Sequence, residues 1–517
     1  MRTSPLGPWS LAAASWLLAV APKAAPLDDP TALALGMAAR GGSHDLFLGD
    51  GEWQAMAMAW KLDVILDAGA EPSHVNPRAF LATLQPTLAS ELGALRQPRV
   101  PAWVLVPGAA AAIGDLVPAN VGGDEEPGLV SLRGGAQIRA YALGFEAVLE
   151  PELDVELGGA PFDAGLVPRQ AWGGWRGEHL LVGFGMRDRW LGPGRRGSLL
   201  LSDNARPAPL GSFAAQGRIP GWLERIGRWR FETSWGWLQR PRDDVANPGL
   251  MLMDLRWLPV PWIEIGATRL GLFGGEGRPM PGFWELLVPI EPHVYDDPDK
   301  EEPDQNEQAS LDFRVTLPIA RWVGGPVDYV EGWWQYGAED IIARRLGPVP
   351  YPSLAGVANL WGLEGAVGPW VLSYEGSHIL DDYFRWYVSH RVYHQGFTQD
   401  GRTIGHHIGG DAESTWLRLG WYPLPWGADL AYEQVHRVGV IESLESNLLA
   451  LATDERSWGL SGRLWRAGAD GGRWSVGYGF TQVQGQDFVP GDDAWLHRVS
   501  VSWGSAPLGG DPERPGG

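Results

Sequence analysis

The C-terminal three-quarters of the chain alternates apolar and polar residues with a period of two. Trp474, Val476, Tyr478 and Phe480 are interleaved with Ser475, Gly477, Gly479 and Thr481. Trp495, Val499, Val501 and Trp503 alternate with Leu496, Arg498, Ser500 and Ser502, with His497 the outward exception. The same pattern sets Trp458, Leu460 and Leu464 against Ser457, Gly459, Ser461 and Arg463. It also sets Trp370, Leu372 and Tyr374 against Ser373, Glu375 and Ser377. Successive side chains of a strand point to opposite faces, so each run is a strand with one apolar face and one small or polar face. Alternation alone leaves the sense open. A soluble barrel buries the apolar face, whereas a large membrane barrel turns it to lipid and lines its lumen with polar groups.

Three features select the membrane sense. Met1-Arg2, the apolar run Leu11 to Ala21 and the small-residue ending Ala19-Val20-Ala21 form an export signal over residues 1–21. Tryptophan is abundant: 29 residues against 12 Tyr and 14 Phe. An indole suits the lipid–water interface, and its flat face also packs against sugar rings. Length is the third feature. The stretch after Leu129 holds about 18 strands, at roughly 20 residues per strand and turn. No later segment offers the roughly 18 apolar residues of a spanning helix; the nearest, Ala102 to Gly114, contains Pro107 and Gly108.

The expected fold is all-β: a large antiparallel outer-membrane β-barrel over residues 129–505, with a Gly/Pro-rich tail at 506–517. Residues 22–128 read as a linker and a small helical periplasmic or plug element. One helix is capped by Asp50 and carries Trp53, Ala57, Trp60 and Val64; a second starts at Asn76-Pro77 and carries Leu84, Leu88, Leu92 and Leu95. Hairpin turns are marked by Asn247-Pro248-Gly249, Gly324-Gly325-Pro326, Asp400-Gly401 and Ala469-Asp470-Gly471-Gly472.

Charge and composition exclude several functions. The net charge is −21, from 62 acidic and 41 basic residues, which lacks the basic footprint of a nucleic-acid binder. With no cysteine, disulfides and thiolate metal sites are ruled out. His390 and His394 would share a strand face at about 13 Å, too far for one metal ion, and His406 and His407 would face oppositely if extended. The acidic run from Asp296 to Glu307 lacks calcium-loop spacing and reads as a solvated extracellular loop. No metal, cofactor or catalytic residue is expected.

The most distinctive stretch runs Arg189-Trp190-Leu191-Gly192-Pro193-Gly194-Arg195-Arg196-Gly197-Ser198, then Leu199-Leu200-Leu201-Ser202-Asp203-Asn204-Ala205-Arg206-Pro207. It resembles the hallmark of the Wzi family of capsule-assembly outer-membrane proteins, a WWGPG turn followed by GSLxLSxNARP. Leu191 stands for the second Trp and Asp203 for the usual Asn. Three further stretches are similar, in the family's order: Gly274 to Pro279, Leu311 to Arg314 with Tyr336 to Asp340, and Tyr393 to Asp411.

The resemblance implies a lectin-like barrel, not an enzyme, that anchors or assembles acidic capsular polysaccharide or exopolysaccharide at the surface. Arg189, Trp190, Arg195, Arg196, Asn204 and Arg206 are the polysaccharide-binding candidates, since guanidinium forks pair with sugar carboxylates. Glu276, Arg278, Asp312, Arg314, Glu339 and Asp340 read instead as a charge ladder across the barrel interior, and the Arg cluster fits that reading too. The expected partners are the polymer, outer-membrane lipid and lipopolysaccharide, with the chain a monomer. A diffusion pore for oligosaccharides or small solutes is the alternative function.

Overall fold

The computed structural model describes residues 102–114, 130–142, 145–157, 163–177, 179–218, 226–239, 242–260, 262–282, 286, 305–346, 349–380, 386–388, 390, 392–423, 426–438, 454–467, 473–504 and 508–510. The expected signal segment and both expected helices lie outside these residues.

The strands in chain order are β1 (Ala102–Gly114), β2 (Val130–Ala142), β3 (Phe145–Leu157), β4 (Asp163–Arg176), β5 (Leu180–Met186), β6 (Pro209–Arg218) and β7 (Arg228–Trp237). Next come β8 (Gly249–Val260), β9 (Ile263–Phe273), β10 (Gln305–Leu317), a five-residue helix α1 (Ile319–Val323), β11 (Tyr329–Leu346), β12 (Val349–Val367) and β13 (Trp370–Ile379). A small hairpin, β14 (Thr398–Gln399) and β15 (Arg402–Thr403), precedes β16 (Ala412–Trp421), β17 (Trp426–Arg437), β18 (Glu455–Ala467), β19 (Arg473–Gln484), β20 (Ala494–Gly504) and β21 (Leu508–Gly510).

All but β14 and β15 join one sheet of 19 strands. Apart from β21, each pairs antiparallel with its neighbour in sequence, β13 pairs with β16 across the β14–β15 insertion, and β1 pairs with both β2 and β20. That last pairing closes the sheet, so no edge is left with unpaired N–H and C=O groups, as a sheet in lipid requires. The three-residue β21 continues the closing seam along β1, which leaves eighteen full strands. One boundary is corrected. The Ala-rich segment Ala102–Gly114, assigned from sequence to the helical element, is the first barrel strand. Its Pro107 falls between the part of β1 paired with β21 and the part paired with β20, where a missing donor is tolerated.

The alternation resolves in the membrane sense. On β13, Trp370, Leu372 and Tyr374 are exposed while Ser373, Glu375 and Ser377 are buried in the interior. On β10, Leu311 and Phe313 face outward and Gln308, Ser310, Asp312 and Arg314 face inward. A belt of exposed Leu, Val, Phe and Trp on so many strands is a lipid-facing surface; a soluble chain would not leave it uncovered. Trp370 packs on Trp421 at 6.1 Å and Trp426 on Trp474 at 5.7 Å. With Trp503 these residues form an aromatic girdle at one end of the barrel.

The two ends differ. At the girdle end the links β8–β9 and β12–β13 are two residues long; at the opposite end the links β5–β6, β7–β8, β9–β10 and β13–β16 are longer. Short periplasmic turns and long extracellular loops make the latter the outer end. Segment 187–208 and the described residues of 380–411 fold inward and fill part of the lumen. Leu191, Leu199, Leu200, Trp386, Tyr387, Tyr393, Phe397, Ile404 and Ile408 form the main apolar cluster there. The two loops are joined by backbone bonds as well, Leu191 N–H to Leu201 O at 3.0 Å within one loop and Ser202 N–H to Ile404 O at 2.8 Å between them.

Candidate functional site

The interior wall from β5 to β13 is a continuous charge network. Glu232 on β7 accepts from Arg187 and Arg230 at 3.1 and 2.6 Å. Arg256 on β8 bonds Asp254 and reaches Asp312 on β10 at 2.5 Å, and Arg314 pairs with Glu264 on β9. Each charge is buried next to an opposite one, which offsets the cost of removing it from water. Of the residues expected in a ladder, Asp312 and Arg314 stand in this network. Glu339 is also buried, but holds the plug: it accepts from Gln308 and from the backbone N–H of Tyr387. Glu276 and Arg278 lie outside the network, in the loop after β9, where Glu276 is exposed and accepts from Asn247 at 3.0 Å. The backbone leaves the strand at Phe273, so the period-two argument no longer applies to them. Asp340 lies on β11 opposite Ala355, and its side chain is outside the described residues. Arg187, read from sequence with the Arg cluster, also stands here, and the members missed from sequence are Arg230, Glu232, Asp254, Arg256 and Glu264. The signal was present in Arg228-Trp229-Arg230-Phe231-Glu232, where charges alternate with aromatics.

Between β5 and β6 the Gly-Pro-Gly turn brings three successive amides, Arg195, Arg196 and Gly197, onto the Glu375 carboxylate at 2.6, 2.9 and 3.0 Å. Trp333 Nε1 donates to the same group at 3.0 Å. Consecutive backbone N–H groups converging on one anion form a nest. Gly192, at φ 135°, provides the backbone bend in the turn. Gly197 has a different reason to lack a side chain, since a Cβ there would stand 2.1 Å from the His406 ring.

The Arg cluster separates. Arg195 is buried, paired with Glu331 and Glu364 and stacked over Trp333 at 5.2 Å, so it belongs to the interior network. Arg189 also turns inward, donating to Ser212 at 2.6 Å beside Glu232. Arg196 grips Glu433 on β17 with both Nε and Nη2, at 2.9 and 2.7 Å. Asn204 donates to the carbonyl of Thr403 at 2.9 Å. Arg206 is exposed.

Opposite this network lies a cavity of about 670 Å³ between the plug and the inner wall of β16 to β20. Trp190, Arg195, Arg196 and Asn204 line its plug side; Arg189 and Arg206 do not. The far wall presents Arg463 and Arg498 among Ser457, Gly459, Ser461, Gly477, Gly479 and Ser500, which the alternation had put on the polar face, together with Arg418, Asp429, Glu433 and Arg437, which sequence reasoning missed. Arg418 and Arg463 both hold Asp429, at 2.5 and 3.0 Å.

His407 Nε2 joins Arg196 on Glu433 at 2.7 Å, and its ring stacks on His406 at 4.6 Å. Opposite facing applied only to an extended segment, and residues 404–411 are not extended. Burial, with Arg196 adding for His407, pushes both imidazoles below the ordinary histidine range. His390 Nδ1 accepts from the amides of Val392 and Tyr393 at 3.2 Å. In the outer loop 238–248, Asp244 is bound by Arg242 at 2.9 and 2.8 Å and by the Gln395 amide at 2.9 Å. Burial opposes ionisation there, yet these bonds hold its carboxyl below the usual range. Glu307 of the acidic run is on β10, paired with Arg269; the run before it, through residue 304, is outside the described residues.

Fold and interior together define a plugged outer-membrane β-barrel with a polar lumenal cavity. The family model of the capsule assembly protein Wzi matches residues 131–434, and the chain belongs to that family. The outer-membrane protein Wzi of Escherichia coli, described as involved in group 1 capsule assembly and as a carbohydrate-binding β-barrel, has the same fold. It matches with a TM-score of 0.64 at 18% identity, covering 94% of this chain and 99% of that one. An uncharacterized 55.8 kDa protein in the cps region of Klebsiella pneumoniae is 28% identical over 161 residues, a match spanning 29% of each chain. Family and lipid-facing belt place this barrel in the bacterial outer membrane.

Proposed function

We propose that the protein binds acidic capsular polysaccharide or exopolysaccharide noncovalently and holds it at the cell surface. The observation that carries this reading is the fate of the distinctive loop: it is folded into the outer half of the lumen, with Trp190, Arg196 and Asn204 bordering a polar cavity. Loops packed this closely into the lumen favour a binding barrel over an open diffusion pore. Trp faces stack on sugar rings, guanidinium groups pair with sugar carboxylates, and repeats along the polymer supply avidity. Binding rather than catalysis is the better account of Asp429 and Glu433, because guanidinium groups hold both carboxylates as anchors. The protein acts as a monomer in contact with lipid and lipopolysaccharide.

The test compares cell-bound with released polymer in a strain lacking the protein and in its parent. Unchanged total polymer that shifts to the medium is the expected result. Collapse of total polymer moves the role to synthesis or export. No change in either quantity removes the binding function for that polymer.

A further inference from the structure

The lumen is lopsided. On β7 to β13 the inward positions carry Arg, Glu, Asp and Gln, which meet the plug and fill the space. On β18 to β20 they are Ser457, Gly459, Ser461, Gly477, Gly479 and Ser500, which do not. A Cβ built at Gly479 would meet nothing nearer than Ser461 Cβ at 3.4 Å, so the wall there is hollow rather than tightly packed. The hollow is also electrostatically unlike the rest of the molecule. Six Arg (195, 196, 418, 437, 463 and 498) line it; Arg195 and Arg437 are paired with Glu331, Glu364 and Glu455 behind the wall, which leaves Arg196, Arg418, Arg463 and Arg498 facing Asp203, Asp429 and Glu433, a net positive lining in a chain of net charge −21. A volume of about 670 Å³ is that of an ordinary small-ligand pocket.

We infer that this hollow is an anionic-sugar subsite, taking a carboxylate-bearing residue of the polymer inside the barrel between the plug and β16 to β20. The inference rests on the polysaccharide-binding reading and sharpens it. Recognition is by guanidinium forks on the lumenal wall, Arg463 and Arg498 above all, and the loop's Trp190 and Arg196 form the opposite jaw.

The experiment uses the full-length protein in detergent micelles and purified acidic capsular polymer as the probe, with sodium glucuronate, glucose and inorganic phosphate as competitors. Three variants are compared, with folding checked by heat-modifiable gel mobility: Arg463→Gln, Arg498→Gln and the cavity-filling Gly479→Phe, which leaves every charge in place. The expected result is competition by glucuronate but not by glucose or phosphate, and a loss of polymer affinity of about tenfold or more in each folded variant. Wild-type affinity in the folded variants, or competition by phosphate equal to that by glucuronate, overturns the subsite while leaving surface retention intact. Failure of the wild-type protein to bind the polymer at all overturns the binding reading itself, and the subsite with it.

Discussion

The carboxylate of Glu375, on the inner face of β13, accepts the backbone N–H of Arg195 at 2.6 Å, although the two residues are 180 positions apart. This bond and its two neighbours from Arg196 and Gly197 pin the Gly-Pro-Gly loop inside the barrel. Glu375→Ala leaves three amides and the Trp333 indole N–H to find other partners. An unsatisfied buried donor costs about 1–3 kcal/mol, so the loop is expected to swing outward at least part of the time. Single-channel conductance in a planar bilayer checks this. The wild-type barrel should pass little current, and Glu375→Ala should show frequent larger openings; equal conductance would mean that the nest does not hold the plug.

Gly197 tests the other side of the same contact. With His406 where a Cβ would have to go, Gly197→Ala must displace either the 380–411 loop or its own turn. Overpacking of this kind costs about 1–3 kcal/mol. The expected outcome is a lower unfolding midpoint in detergent with strand content unchanged by circular dichroism. Gly277→Ala serves as the comparison: its φ of 77° strains an alanine, but no atom stands within 4 Å of the added Cβ.

How far the sequence revealed this arrangement follows from the range of each interaction. The period-two pattern is local, so strands such as β13, β19 and β20 and their lipid faces were legible residue by residue. The interior network was legible in part. Charges on regular strands, such as Asp312 and Arg314, obey the alternation, while Glu276 and Arg278 follow a strand end and escape it. β1 was hidden because its alanines carry little periodicity and its Pro107 argues against a strand; only closure against β20 shows why the proline is tolerated. The distinctive loop was legible as a motif but not as a plug, since its partners Glu375 and Glu433 lie 180 and 237 residues away. The wall's residues were legible as a lumenal face, but not that the space in front of them is open. Gly and Ser on alternate positions look the same whether a loop fills the space opposite them or not.

Acid should weaken the plug before it weakens the barrel. His406 and His407 titrate below the ordinary histidine value in the folded protein, chiefly through burial. As pH falls through the unfolded-state value of about 6.5, the unfolded or opened chain takes up protons that the folded one does not. Stability of the closed plug therefore rises with pH through that window and falls below it. The Arg196 guanidinium adds to the penalty for protonating His407, and Glu433 opposes it. Protease cleavage in the 380–411 loop, followed between pH 7.5 and 5, should accelerate at the acid end. His406→Gln should flatten the dependence; the same slope in the variant would assign it to other groups.

The direction of the strand faces makes a sharper prediction than any loop. Val499 and Ser500 are adjacent on β20, the first exposed on the outer surface and the second lining the cavity. An arginine on the lipid face near the bilayer midplane costs about 2–4 kcal/mol, because no water is there to solvate it. Facing the lumen, the same residue meets water and the wall's small side chains. Refolding into lipid vesicles followed by denaturant titration should show Val499→Arg destabilised by about that amount and Ser500→Arg far less. Equal losses at the two positions would contradict the inside–outside assignment. The reverse order would turn the barrel's apolar face inward and put the cavity residues outside, against the exposure of Val499 and the cavity lining by Ser500.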